Sequence, residues 1–127
     1  MERKEFATVE FFDSYSFDRK LSTEIREKTT EIEVKVINPF DLNGMPDRLN
    51  KWLFKIDESG GTVKASALPP KSQIATRGII GAVIDLAIAV FNIAKEAVLY
   101  APAESYHANV LYRQDTGKVE KVIFSIR

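Results

Sequence analysis

Cysteine is absent from this chain, which removes disulfide scaffolds, thiolate metal sites and cysteine nucleophiles together. Histidine occurs once, at position 107. A multi-histidine zinc site therefore cannot form, and Glu104, three residues earlier, is the nearest acidic companion. Surplus charge is also missing, because 18 basic residues meet 18 acidic ones. Such a chain has no long-range field with which to gather nucleic acid or an anionic membrane, and neither is expected as a partner. Ten basic and thirteen acidic residues up to Gly60, then eight and five beyond it, make only a mild difference in sign. Glycine is sparse as well, at 6 residues, and no phosphate-cradling loop, zinc motif or nucleophile elbow is present. These absences lead to an expectation of no catalytic residues, no metal and no cofactor.

What remains is the composition of an ordinary globular protein, 45% hydrophobic and 28% charged over 127 residues. One domain spanning 1–127 is expected, large enough to bury about two thirds of the surface its unfolded chain exposes. The opening Met1-Glu2-Arg3-Lys4-Glu5-Phe6 mixes charges of both signs and does not read as a secretory leader. Cytoplasm is the expected location.

The most distinctive segment is Ile74 to Ala101, which is almost continuously apolar. Read as a helix, it places Arg77, Gly81, Asp85, Asn92, Lys95 and Glu96 within an arc of about 100°, at roughly 100° of turn per residue. The remaining arc of about 260° is far wider than the apolar stripe of a surface helix. Such a rod would need a second subunit or an enclosed pocket to cover it. As a membrane span it is unsuitable, since the uncharged run from Arg77 to Lys95 falls short of the ~20 residues needed and holds Asp85 in its middle.

Elsewhere the periodicities are more familiar. Phe6 to Phe12 is rich in β formers and reads as a strand. Tyr15 to Thr29 is ambiguous, because Phe17, Leu21 and Ile25 are spaced four apart, which suits one face of a helix and one face of a strand equally. The structure of residues 1–29 therefore stays open. Ile32, Val34 and Val36 alternate with Glu31, Glu33 and Lys35 as in a half-solvated strand, which Asn38-Pro39 is expected to stop. Leu49, Trp52, Leu53 and Ile56 follow the i, i+3, i+4, i+7 spacing of an amphipathic helix over about 46–57. Thr62 to Leu68 alternates again, and the strands Ser105 to Arg113 and Val119 to Arg127 flank a Gly117-containing loop as a C-terminal β-hairpin. The order predicts an α+β, two-layer domain. Its sheet would be mainly antiparallel with about four to five strands, and two helices, about 46–57 and 73–100, would pack on one face.

Two candidate sites follow. Asp85, flanked by Ile84 and Leu86, would be partly desolvated, and a desolvated carboxyl holds its proton more tightly. Asn92, Glu96 and Arg77 would share its helical stripe as ligand-binding candidates or form a plain solvent-facing strip. The second candidate is the aromatic cluster Phe6, Phe11, Phe12, Tyr15 and Phe17, which could be core or the centre of a protein interface. The leading functional expectation is a non-catalytic protein acting through a protein partner or homo-oligomer assembly. The alternative is a small-molecule-binding protein or enzyme with an apolar pocket and Asp85 and Asn92 as its polar handles.

Overall fold

A computed structural model describes residues 4–68, 83–86 and 88–127. Among the described residues six strands form one sheet: β1 (Phe6–Phe11), β2 (Glu31–Asp41), β3 (Val63–Leu68), β4 (Val83–Asp85), β5 (Tyr106–Arg113) and β6 (Lys118–Ile126). Their spatial order is β1-β2-β6-β5-β3-β4. Among the described residues three helices accompany them: α1 (Tyr15–Arg26), α2 (Asp47–Glu58) and the single-turn α3 (Ala97–Tyr100). No helix among the described residues is long and apolar enough to cross a membrane.

The α+β class holds, but the sheet is mixed. β1 runs parallel to β2 and β3 parallel to β5, while β2–β6, β5–β6 and β3–β4 are antiparallel. Parallel neighbours need a crossover, and α1 supplies it between β1 and β2. α2 links β2 to β3, which do not pair with each other because β6 and β5 stand between them. The expected C-terminal hairpin is present, and its loop turns at Gly117 with φ 73°, a left-handed conformation that glycine adopts without steric cost.

Every long strand buries one face. Val9 and Phe11, then Ile32 and Val34, then Val122 and Phe124, then Ala108 and Val110, then Val63 and Ala65 form a continuous apolar floor. Phe17, Leu21 and Ile25 from α1 and Leu49, Trp52, Leu53 and Ile56 from α2 lie on it. The opposite face presents Thr8, Glu10, Glu31, Lys35 and Lys64 to solvent. The sequence ambiguity at 15–29 therefore resolves as helix, with Lys28 leaving it at φ 57°.

Two further expectations are overturned. β2 does not stop at Asn38-Pro39 but continues to Asp41. Lys35 pairs with Lys121 and Phe40 with Val119, so residues 36–39 stand against Glu120 alone, and Pro39 sits in a detour where it removes no ladder hydrogen bond.

The larger correction concerns the helix expected over about 73–100. Val83–Asp85 is a strand paired with β3, residues 88–93 carry no regular element, a 3-10 turn occupies Ala94–Glu96, and only Ala97–Tyr100 is α-helical. Residues 69–82, with Arg77 and Gly81, lie outside the described residues. The physical reason lies in the β-branched Val83 and Ile84. They favour extended backbone, and β3 offers an edge on which to satisfy it. An unbroken apolar run cannot be divided into helix and strand by periodicity alone. In its actual form the segment lays Leu86, Ile88, Phe91 and Leu99 against the core and buries Ile93 and Tyr100 within it. Among the described residues no apolar rod remains that would need a second subunit to cover it.

Candidate functional site

β1 is the outermost strand beside β2, and no strand lies on its other side among the described residues. Its register sets which backbone groups are left unpaired. Phe6 stands opposite Glu31, and the Glu31 N–H donates to the Glu5 carbonyl at 3.2 Å. In a parallel ladder this directs the N–H and C=O groups of the odd-numbered residues 5–11 toward β2, so those of Phe6, Thr8 and Glu10 point away from the sheet. Natural edges are commonly protected by lysine or proline. Phe6-Ala7-Thr8-Val9-Glu10-Phe11 contains neither.

The aromatic cluster expected as one unit divides between two environments. Phe11 and Phe17 are core residues, packed edge to face with ring centroids 4.7 Å apart, and Phe40 meets Phe11 at 6.1 Å. Phe6, Phe12 and Tyr15 remain 51%, 48% and 60% exposed. The exposed rings thus bracket the open edge.

A second feature was not anticipated. Asp18 is only 2% exposed. It accepts a hydrogen bond from Trp52 Nε1 at 2.9 Å and another from Arg48 Nη1, while Arg48 Nε donates to Asp13 Oδ1 at 2.9 Å. Burial alone would lower the pKa of the Arg48 guanidinium, but its hydrogen bonds to Asp13 and Asp18, with their charges, raise it. On the same side of α1, Arg26 Nε donates to Ser22 Oγ at 3.1 Å, Ser22 Oγ to the Leu99 carbonyl at 3.4 Å, and Arg26 Nη2 to the Val98 carbonyl at 2.5 Å. A polar stripe of Asp18, Ser22 and Arg26, at i, i+4 and i+8, therefore holds α3 and seats Tyr100 against Trp52 with ring centroids 4.7 Å apart. The sequence signal was available, since this stripe lies one residue beyond Phe17, Leu21 and Ile25. Its partners were not, being 30 residues or more away in the sequence.

Burial, followed by the charges of Asp18 and Glu96, pushes the Tyr100 hydroxyl up to about 12 from an ordinary 10.0. The folded chain thus holds this proton more tightly than the unfolded one. The associated stability is complete below the unfolded value and is lost as pH rises through the folded value. Urea midpoints of the wild type should therefore fall between about pH 10 and 12 more steeply than those of Tyr100→Phe. Parallel curves for the two proteins would contradict the assignment.

Of the ligand-binding candidates, Asp85, Asn92 and Glu96 do not share a helical stripe. Asp85 occupies a β4 position opposite Lys64, and Arg77 lies outside the described residues. Asn92 and Glu96 are exposed, and the Asn92 side-chain oxygen already accepts the Ala94 N–H at 3.2 Å. A depression of about 290 Å³ does adjoin Asn92, walled by Phe54, Lys55 and Glu58 on one side and Phe91 and Ala97 on the other. His107 Nδ1 accepts the Thr62 N–H at 2.9 Å, so the histidine is bound into the β3–β5 region. Among the described residues, no group of three or more acidic or histidine side chains could hold a metal ion. No protein family, curated protein or solved structure matches the chain.

Proposed function

We propose that this chain is a non-catalytic assembly module that recruits another polypeptide strand to the outer edge of β1. The supporting observation is the conjunction at that edge: three outward-pointing residues that face no strand among the described residues, no lysine or proline within the strand, and exposed Phe6, Phe12 and Tyr15 beside it. Strand addition draws affinity from main-chain hydrogen bonds and specificity from alternate side chains, and aromatic residues are enriched at interface centres. Both requirements are met within one ten-residue stretch. A cytoplasmic setting fits the lack of cysteine. The small-molecule reading built on Asp85 and Asn92 has the depression beside Asn92 as its one support.

Photoreactive phenylalanine analogues test the proposal. Placed at position 6 or 12 of the full chain in the cells that express it, they should give adducts to a second polypeptide. The same analogue at Lys20, on the exposed side of α1, should give none. Adducts confined to single chains at positions 6 and 12 would overturn the reading.

A further inference from the structure

We propose that Asn43 is a site of spontaneous covalent modification, at which its side-chain amide closes onto the Gly44 nitrogen and the residue becomes aspartyl or isoaspartyl. The chain holds five asparagines, and the structure sets one apart. Asn38 precedes Pro39, which has no N–H with which to attack. Asn50 lies within α2 and donates from Nδ2 to the Met45 carbonyl at 3.1 Å. Asn92 Oδ1 accepts the Ala94 N–H at 3.2 Å, and Asn109 Oδ1 accepts the Ser66 hydroxyl at 2.8 Å. Each of these two is followed by a β-branched residue, Ile93 or Val110, which crowds the neighbouring nitrogen. Asn43 is exposed, makes no side-chain hydrogen bond among the described residues and precedes Gly44.

Gly44 leaves its nitrogen open to approach. Beyond its chain neighbours, a side chain built there would meet only Asp41 Cβ, at 3.9 Å. Ring closure needs a backbone angle outside the helical range at Asn43, so the 3-10 turn Leu42–Gly44 must first open. That turn is single and buries none of its residues, and such segments lie at the low end of local stability. The Gly44 nitrogen then bonds to Asn43 Cγ, the C–N bond of the side-chain amide breaks, and the Gly44 proton leaves on the departing nitrogen as ammonia. Water opens the succinimide ring. Attack at Cγ gives aspartate in the ordinary linkage, whereas attack at the main-chain carbonyl gives isoaspartate, whose backbone runs through Cγ and is one methylene longer. The added length falls between Leu42, whose N–H donates to the Gly117 carbonyl at 3.1 Å, and the buried Met45 that leads into α2. The isoaspartyl form should therefore unfold at lower urea than the unmodified chain.

Incubating the full, folded chain at mildly alkaline pH and body temperature should make a more acidic form accumulate on isoelectric focusing. Peptide mapping by mass spectrometry should place the change at Asn43, with Asn92 and Asn109 intact. Gly44→Ala should slow the conversion by about tenfold, because the added methyl group hinders the approach that glycine permits. The clearance at Asp41 lets this variant keep the wild-type fold, which its circular dichroism spectrum checks. Asn43→Gln is the second variant, and its longer side chain should yield no acidic form over the same period. Wild-type chain unfolded in guanidinium gives the rate without the fold. Conversion at Asn43 in the unfolded chain but none in the folded one would overturn the proposal, as would an unchanged rate in Gly44→Ala or equal conversion at Asn92 and Asn109.

Discussion

Asp18→Ala is expected to lower the free energy of unfolding by about 2 to 4 kcal/mol, because the buried Trp52 indole and the partly exposed Arg48 guanidinium both lose this acceptor. The carboxylate is 2% exposed and is the acceptor for both Trp52 Nε1 and Arg48 Nη1. Alanine would leave a buried indole N–H without an acceptor and a guanidinium with only Asp13, itself at the surface. Each unsatisfied buried donor costs roughly 1 to 3 kcal/mol, consistent with the larger total. Asp18→Asn retains an acceptor oxygen and should lose less than half as much. Urea unfolding followed by circular dichroism measures both, with an unchanged denaturant slope indicating that the native state is being compared with like. A loss below about 1 kcal/mol for alanine, the level of an exposed ion pair, would show that the cluster is solvated in practice.

Trp52→Ala should be comparably severe, at about 3 to 5 kcal/mol. The residue heads the largest fully buried side chains, at 0% exposure, and touches both halves of the helical layer through Asp18 and the Tyr100 ring. Its removal opens a cavity beneath α2 and frees α3, whose single turn has little stability of its own. Trp52→Phe isolates the hydrogen bond from the volume, because most of the ring remains while the donor to Asp18 disappears. A cost near 1 kcal/mol, the net worth of one hydrogen bond, is expected for it. In a double-mutant cycle with Asp18→Asn, the two changes should prove non-additive because they share one contact. Equal costs for Trp52→Ala and Trp52→Phe would mean that the cavity closes freely.

The elements readable from the sequence are those whose burial is one-sided. α2 exposes Asp57 and Glu58 while burying Leu49, Trp52, Leu53 and Ile56, so its period shows in the residue types themselves. The same holds for β3, β5 and β6, where alternation survives on the solvated face. Residues 83–100 lacked that contrast. With apolar groups on nearly every position, a rod, a strand and an irregular packed segment look alike, and pairing with β3 decided among them. Parallel neighbours were equally hidden, since the pairing of β1 with β2 and of β3 with β5 depends on crossovers that no local pattern records.

The candidate surface was half legible. The density of aromatics between Phe6 and Phe17 was plain, but the inward turn of Phe11 and Phe17 required knowing that β1 ends at Phe11 and α1 begins at Tyr15. Asp18 stayed invisible for a different reason. A carboxylate on a helix is ordinarily solvated, and only the distant Trp52 and Arg48 make its burial tolerable.

The position of β6 bears on how the molecule is made. Residues 118–126 lie between β2 and β5 and join the β1–β2 pair to the β3–β5 pair. During synthesis these two pairs emerge first, each with a bare flank of hydrogen-bonding groups where β6 will later insert. Until the ribosome has released the segment that fills the gap, neither pair has a sheet to belong to, and both are open to mistaken annealing with neighbouring nascent chains. Chaperone demand should therefore be greatest in the interval before Lys118–Ile126 emerges.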